Sequence, residues 1–427
     1  MPDEADPEAV HLARRAIAAR LAPGARVERG DEDPDGPARV VTDEARALLG
    51  RSTIIFWVDD GFPELFTVQG LSVSPVSLSR RYLDFAFSIR RLLLTPGPAE
   101  VREGLAETLA LRVLWEVLMR LRAWDYAAYT FLHGTVGRSL AVDVGEIAAS
   151  PDRLPRDEGH MASLYFGLLH ELGHAAPPQL TDQFGPSDYL SDDAIVEWIE
   201  TVIQQSEIAD ELDVPTITTD ATTLAGHPLN VDLLRSEIRA DLFAVTALVR
   251  ATHRVMAASG ERFELGRFIA EPTLFVAPLW FLTVCRRLAA HLARKGSTDD
   301  QIRSMLLHPA SLAVRLNYIH NYMSVWSAVW EGQPDRWEEN RARFDATTIE
   351  LSEPLGQLEA GLSRVIRFVL FPHERPPAHE LLQRFVLEAD ADEWIRTEAA
   401  RFSRLADVTN APTGSGPLEV IRGLAAR

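Results

Sequence analysis

Apolar residues recur at helical spacing through most of this 427-residue chain, and one early stretch departs from that period. Val10, Ala13, Ile17 and Leu21 predict a short helix over residues 5–22. Residues 23–43 are rich in Gly, Pro, Asp and Glu, offer little apolar surface, and read as a solvated loop or linker. Two runs of β-branched and aromatic residues follow at 53–58 and 64–69, and the Asp-Asp-Gly-Phe-Pro between them suits a hairpin with a longer loop. Residues 139–144 are a third candidate strand, and residues 102–129 have the composition of one or two helices. From residue 159 onward nearly every segment has helical period, broken at Gly and Pro clusters such as Pro177-Pro178 and Gly185-Pro186. The expected fold class is α+β, predominantly α, with a small early sheet. A chain longer than about 250–300 residues exceeds what one core usually serves. Divisions are expected at 1–45 (N-terminal helix and acidic linker), 46–325, and 326–427 (a helical C-terminal region).

One helical segment stands apart because its polar positions carry chemistry. Residues 161–177 contain His170-Glu171-Leu172-Gly173-His174. On a helix, Met161, Tyr165, Leu168 and Leu172 form an apolar stripe, while His170 and His174 project from the opposite side, about 6 Å apart in rise. Ser163 and Gly167 share the histidine side and are expected to leave it uncrowded. Two imidazoles at that spacing reach one tetrahedral Zn²⁺, and Glu171 falls beside the metal, where it can act as a general base. Pro177-Pro178 ends the helix just past the second histidine.

Two histidines do not close a catalytic zinc site, which takes three protein ligands and leaves the fourth position open. A downstream third histidine of the H-E-x-x-H-x-x-G-x-x-H type is absent, because Pro177 and Leu180 occupy those positions. Glutamate candidates are Glu197, Glu200, Glu207 and Glu237. Glu237 is favoured. Its helix has an apolar stripe of Val231, Ile238, Leu242, Val245 and Val249, and it places Glu237 and Asp241 one turn apart on the flank of that stripe. Two carboxylates there are costly unless they bind a cation or accept hydrogen bonds from its ligands. Glu237 is then a ligand and Asp241 orients a histidine, with Glu197 as the alternative.

Composition narrows the remaining classes. The net charge of −19 argues against nucleic acid as a partner, since phosphate binding depends on clustered cations. Lys295 is the only lysine and lies in Ala-Arg-Lys-Gly-Ser, so no Gly-Lys-Ser/Thr phosphate loop can form. The single cysteine, Cys285, excludes a disulfide framework and reads as a buried thiol. The acidic start, Met-Pro-Asp-Glu, lacks the basic and apolar regions of a secretory signal, and a cytoplasmic protein is expected. The apolar segment 268–285 contains Glu271, Pro272 and Pro278 and reads as a buried helix, not a membrane span.

His-Glu-Leu-Gly-His at 170–174 followed by Glu-x-x-Ala-Asp at 237–241 resembles the gluzincin metallopeptidases, in particular the branch of CAAX prenyl endopeptidases, heat-shock membrane endopeptidases and ImmA/IrrE-type regulatory proteases. The resemblance spans residues 159–245. It implies a zincin-like metallopeptidase domain at 46–325, with the sheet packed on the active-site helix. It also implies one Zn²⁺ per chain held by His170, His174 and Glu237, Glu171 as catalytic base, and a protein or peptide substrate. His308-Pro309 with Arg315 is similar to a later segment of those families. A stabiliser for the developing oxyanion is also needed, and the candidates are Tyr189, His308, Arg315, Tyr318, His320 and Tyr322. A substrate strand is expected to pair with an edge of the early sheet, and residues 179–192 to form a rim over the cleft. Two rivals stay open: a catalytically silent zinc-binding regulatory module, and a metal-free helical adaptor. Oligomeric state is not legible.

Overall fold

The computed structural model describes residues 6–21, 24–30, 37–59, 61–94, 96–136, 158–177, 190–205, 231–259, 271–293, 310–330, 334–370, 376–389, 392–411 and 417–425. The chain is predominantly helical with one small mixed sheet, an α+β fold. The early elements are α1 (Pro7–Ala18), β1 (Arg26–Arg29), α2 (Pro37–Leu49), β2 (Thr53–Asp59), β3 (Leu65–Thr67), β4 (Ser74–Ser79), α3 (Arg80–Leu94), α4 (Ala99–Arg120) and α5 (Trp124–Val136). They are followed by α6 (Glu158–Gly173), α7 (Asp192–Gln205), α8 (Val231–Ser259), α9 (Glu271–Ala293) and α10 (Ala310–Trp330). The last are α11 (Trp337–Leu370), α12 (Ala378–Ala389), α13 (Glu393–Val408) and α14 (Pro417–Ala425).

The sheet departs from the hairpin expected of it. Its order is β1-β2-β4-β3, so β2 and β3 are not neighbours. β4 lies between them, parallel to β2 and antiparallel to β3. Its sequence, Ser-Pro-Val-Ser-Leu-Ser, reads as a loop, yet all six residues are buried. Two of its hydroxyls are satisfied locally, Ser77 Oγ donating to Phe66 O and Ser79 Oγ to Phe62 O, and Thr67 Oγ1 donates to Pro75 O, while Ser74 Oγ is buried with no partner among the described residues. The expected linker at 23–43 also contains structure, since β1 pairs antiparallel with β2 and α2 begins at Pro37. Pairing with an existing strand gave Arg-Val-Glu-Arg an order that its own composition does not supply. The candidate strand at 139–144 lies outside the described residues.

Both faces of the sheet are covered, which is why β2 is a nearly continuous apolar run. Ile54, Phe56 and Val58 pack with Ala13 and Ile17 of α1 in a small separate cluster, while Ile55, Val76 and Leu78 join the main core. On that inner face α6 packs against β3 and β4, with α2 and α3 beside it. The main cluster runs without a break from Val41 to Leu424, so α11 to α14 share a core with the sheet and α6. A buried ionic network ties α13 in: Glu116 of α4 accepts from Arg81 of α3 (2.8 Å) and Arg401 of α13 (2.6 Å), and Arg112 reaches Glu398 at 3.0 Å. The apolar segment around residue 280 is the buried helix α9, and no helix among the described residues is long and apolar enough to cross a membrane.

Two close helix crossings set the position of α6 and α11. A Cβ on Gly173 would lie 2.7 Å from Ala240 Cα, so the absence of a side chain lets α6 and α8 approach at backbone contact. A Cβ on Gly361 would lie 2.5 Å from Glu103 O, the equivalent approach of α11 to α4. Gly173→Ala is therefore expected to destabilise the protein by about 1–3 kcal/mol through overpacking, read as a lower midpoint in urea with an unchanged slope.

Candidate metal centre

The α6–α8 crossing sets the geometry of the site. His170 and His174 stand one turn apart near the end of α6, and their Nε2 atoms are 3.2 Å apart. Glu237 of α8 brings Oε2 within 3.4 Å of His170 Nε2 and Oε1 within 3.8 Å of His174 Nε2. One ligand atom from each residue lies within 4.8 Å of the others, the only such group among the described residues. Ligands about 2.0–2.1 Å from a tetrahedral zinc sit about 3.4 Å from one another. The observed spacings of 3.2, 3.4 and 3.8 Å fit that arrangement to within a few tenths of an ångström. Two imidazoles and a carboxylate are a donor set suited to zinc, with room in the chemistry for a neighbouring transition metal.

The outer partners orient these donors. His170 Nδ1–H donates to Asp241 Oδ1 at 2.8 Å, which fixes the ring's orientation and turns Nε2 toward Glu237 and His174. Arg315 of α10 closes on the same carboxylate as a fork, Nε to Oδ2 and Nη2 to Oδ1, both at 2.7 Å. Its Nη1 lies 3.3 Å from Glu237 Oε2. Asp241 is fully buried and Arg315 only 2% exposed. His174 Nδ1 lies 3.3 Å from the Ser236 hydroxyl. The end of α6 is held by donors to its last carbonyls, Gln69 Nε2 to His174 O (2.9 Å) and Arg51 Nη2 to Ala175 O (2.8 Å).

Electrostatics follow from this packing. Burial opposes charge on Asp241, yet the guanidinium of Arg315 and the His170 hydrogen bond hold its carboxyl below the usual range. Glu237 is likewise lowered, because contacts with His170 and Arg315 outweigh burial. Burial disfavours charge on His170 too, but Asp241 and Glu237 raise it to about 9. Burial, and then the charge of His170, lower His174 to about 4. Glu171 stands beside the trio, not within it. Burial raises its carboxyl to about 7, against the pull of His170 and Arg286 and a backbone hydrogen bond from Thr67 of β3.

That last contact bears on how an extended chain could dock. β3 is the edge strand, and its outward groups come from Leu65 and Thr67. Leu65 O accepts from Arg286 (3.4 Å), Thr67 O from Arg20 (3.2 Å), and the Thr67 backbone serves Glu171. The edge expected to receive a substrate strand is thus largely occupied by side chains of this protein.

His170, His174, Glu237 and Asp241 come together, and the other expected residues do not all join them. Arg315 is near, and its Nε and Nη2 are both engaged with Asp241. Tyr318 lies among the charges of Arg235 and Glu197, His320 stacks on Phe344, and the Tyr322 hydroxyl pairs with Thr246 at 2.6 Å. Glu197 is exposed on α7 and is not in the cluster. His308, Tyr189 and Glu207 lie outside the described residues. Gly167, expected to leave the histidine side open, instead faces the Tyr82 hydroxyl and Leu65, at 3.1 and 3.2 Å from where a Cβ would stand. Tyr82 and Thr67 carried no local signal, because their proximity to Glu171 arises only when the sheet and α3 fold over α6. Compared with known families, characterised proteins and solved structures, the chain matches none.

Arg315→Met leaves Asp241 buried without its cation and is expected to cost about 3–5 kcal/mol in chemical denaturation, while Arg315→Met with Asp241→Leu should cost much less than the two single changes summed. Metal-free protein is expected to hold a plateau of stability between about pH 4.5 and 6.5, where Glu171, raised to about 7, and His174 offset one another. His170, raised to about 9, contributes stability that is complete below its unfolded value and lost as pH rises through 9. His174, lowered to about 4, contributes stability present above its unfolded value and lost as pH falls through 4. Melting temperatures measured across pH 4–9 in a chelator check both arms.

Proposed function

We propose that this protein is a zinc-dependent peptidase that hydrolyses peptide bonds of a protein or peptide substrate. The observation that carries this is the convergence of His170, His174 and Glu237 with a partly buried glutamate beside them that is not one of the three donors. A purely structural metal site has no use for that fourth side chain. When bound, zinc supplies Lewis acidity toward water and the scissile carbonyl. The chain's own residues do the rest. Asp241 holds His170 with Nε2 turned to the donor cluster, and Arg315 keeps Asp241 ionised. Glu171, poised near 7, takes a proton from the attacking water and passes it to the departing amine. A cytoplasmic setting accords with a single buried, unpaired cysteine and with the absence of a membrane-crossing helix among the described residues.

One observation favours a second reading. The occupied outer edge of β3 offers little open backbone to a substrate strand, which suits a catalytically silent, zinc-binding regulatory module. Zinc titration of chelator-stripped protein, followed by Glu171→Gln, separates the cases. A peptidase binds one zinc per chain, and Glu171→Gln keeps that metal while cleavage falls by about 100-fold or more. Native cleavage products are found by comparing new protein N-termini in cells expressing the two forms. Equal products in both forms leave the regulatory module, and failure to retain zinc leaves the metal-free adaptor.

A further inference from the structure

Tyr82 lies on the Glu171 side of the site, and nothing described so far uses its hydroxyl. Its backbone is fixed: Tyr82 N–H donates to Ser79 Oγ at 3.0 Å, and the same oxygen accepts from Glu64 N–H at 2.8 Å, tying the start of α3 to the start of β3. The side chain is 1% exposed. The hydroxyl comes to 3.1 Å from the Cβ position of Gly167, one helical turn before Glu171 on the same side of α6. The charges that act on it are those of Glu171, Arg286 and Arg315, and together with burial they leave it a protonated donor. Among the described residues none hydrogen-bonds this hydroxyl. The hydroxyl is not among the polar atoms sealed from water without a partner, so on an otherwise buried ring it is a donor that a ligand or water can reach and complete. Gly167 lies beside it and Leu65 closes on the same position of α6, and neither offers it a polar side chain.

We propose that Tyr82 is a hydrogen-bond donor to the oxygen of a substrate or inhibitor seated between Glu171 and the His170, His174, Glu237 cluster. This rests on the metal-site reading, and it explains the glycine at 167: a side chain there would press on the hydroxyl and tilt it away from the carboxylate. The donor is neutral, so it favours a partially or fully anionic oxygen without competing with the cation for the ligand residues.

The probe is acetohydroxamate, a small chelating oxyanion, added to zinc-loaded full-length protein and followed by calorimetry. Tyr82→Phe is expected to weaken hydroxamate binding about 10-fold, the usual scale for one hydrogen bond to a charged group, while zinc affinity stays within 2-fold of the native protein. Equal hydroxamate affinity in the two forms overturns the assignment and leaves the peptidase reading intact. A native protein that retains no zinc removes that reading and this assignment with it. Should Tyr82→Phe fold poorly, 3-fluorotyrosine placed at position 82 of the otherwise native chain gives a second measurement. Its ¹⁹F line should move when hydroxamate is added to the zinc-loaded protein, and a line that stays in place overturns the assignment.

Discussion

The carboxylate of Asp241 is the constraint on which the site depends. An ionised group sealed from water costs several kcal/mol unless its oxygens are fully engaged. Here they are shared between the His170 imidazole and both arms of the Arg315 fork. Three helices meet at this one group: α6 brings the histidine, α8 the aspartate and α10 the arginine. Because each depends on the others for compensation, the orientation of the His170 ring is set by the packing of the core and not by the local rotamer alone. The same guanidinium also leans on Glu237, so a single cation stabilises both carboxylates of α8 in their ionised forms.

That arrangement needs α6 and α8 closer than side chains normally allow. Gly173 supplies the closeness, and its neighbour His174 gains a position from which Nε2 reaches both His170 and Glu237. On the other side of α6 the sheet comes down on Gly167 and Glu171. The edge strand gives Glu171 a backbone donor and, through Arg20 and Arg286, has its own carbonyls covered. The general base and the strand edge are therefore mechanically linked: an extended chain docking along β3 would compete with the contacts that hold Glu171.

Much of the site was legible in sequence because helices repeat locally. The four-residue spacing of His170 and His174, and of Glu237 and Asp241, is a property of one helix each, and carboxylates on the flank of an apolar stripe announce a need for partners. Arg315 was picked out, but its pairing with Asp241 was not legible, since its sequence neighbours say nothing of the carboxylate it meets across the core. The sheet was the poorest reading. β4 is Ser- and Pro-rich, and the hydroxyls of Ser77 and Ser79 are satisfied only by carbonyls from β3 and the segment before it, so no pattern within Ser-Pro-Val-Ser-Leu-Ser marks it as a central strand. β1 has the same origin, as order conferred by a neighbour. That the helical region expected at 326–427 packs Phe402 and Leu405 into the main core with Trp115 and Phe131 was not legible either, since those contacts cross the whole chain.

The sequence by itself determined the helical character of the chain, the two-histidine face of α6 and the acidic flank of α8, because periodicity and side-chain chemistry act over a few residues. Tertiary structure alone decided that these faces meet, that Arg315 stands behind Asp241, and that Tyr82 and Thr67 stand over Glu171. Those contacts join residues 63 to more than 100 positions apart in the chain. They depend on where backbones can approach and which buried charges find partners, and neither is encoded in any one segment.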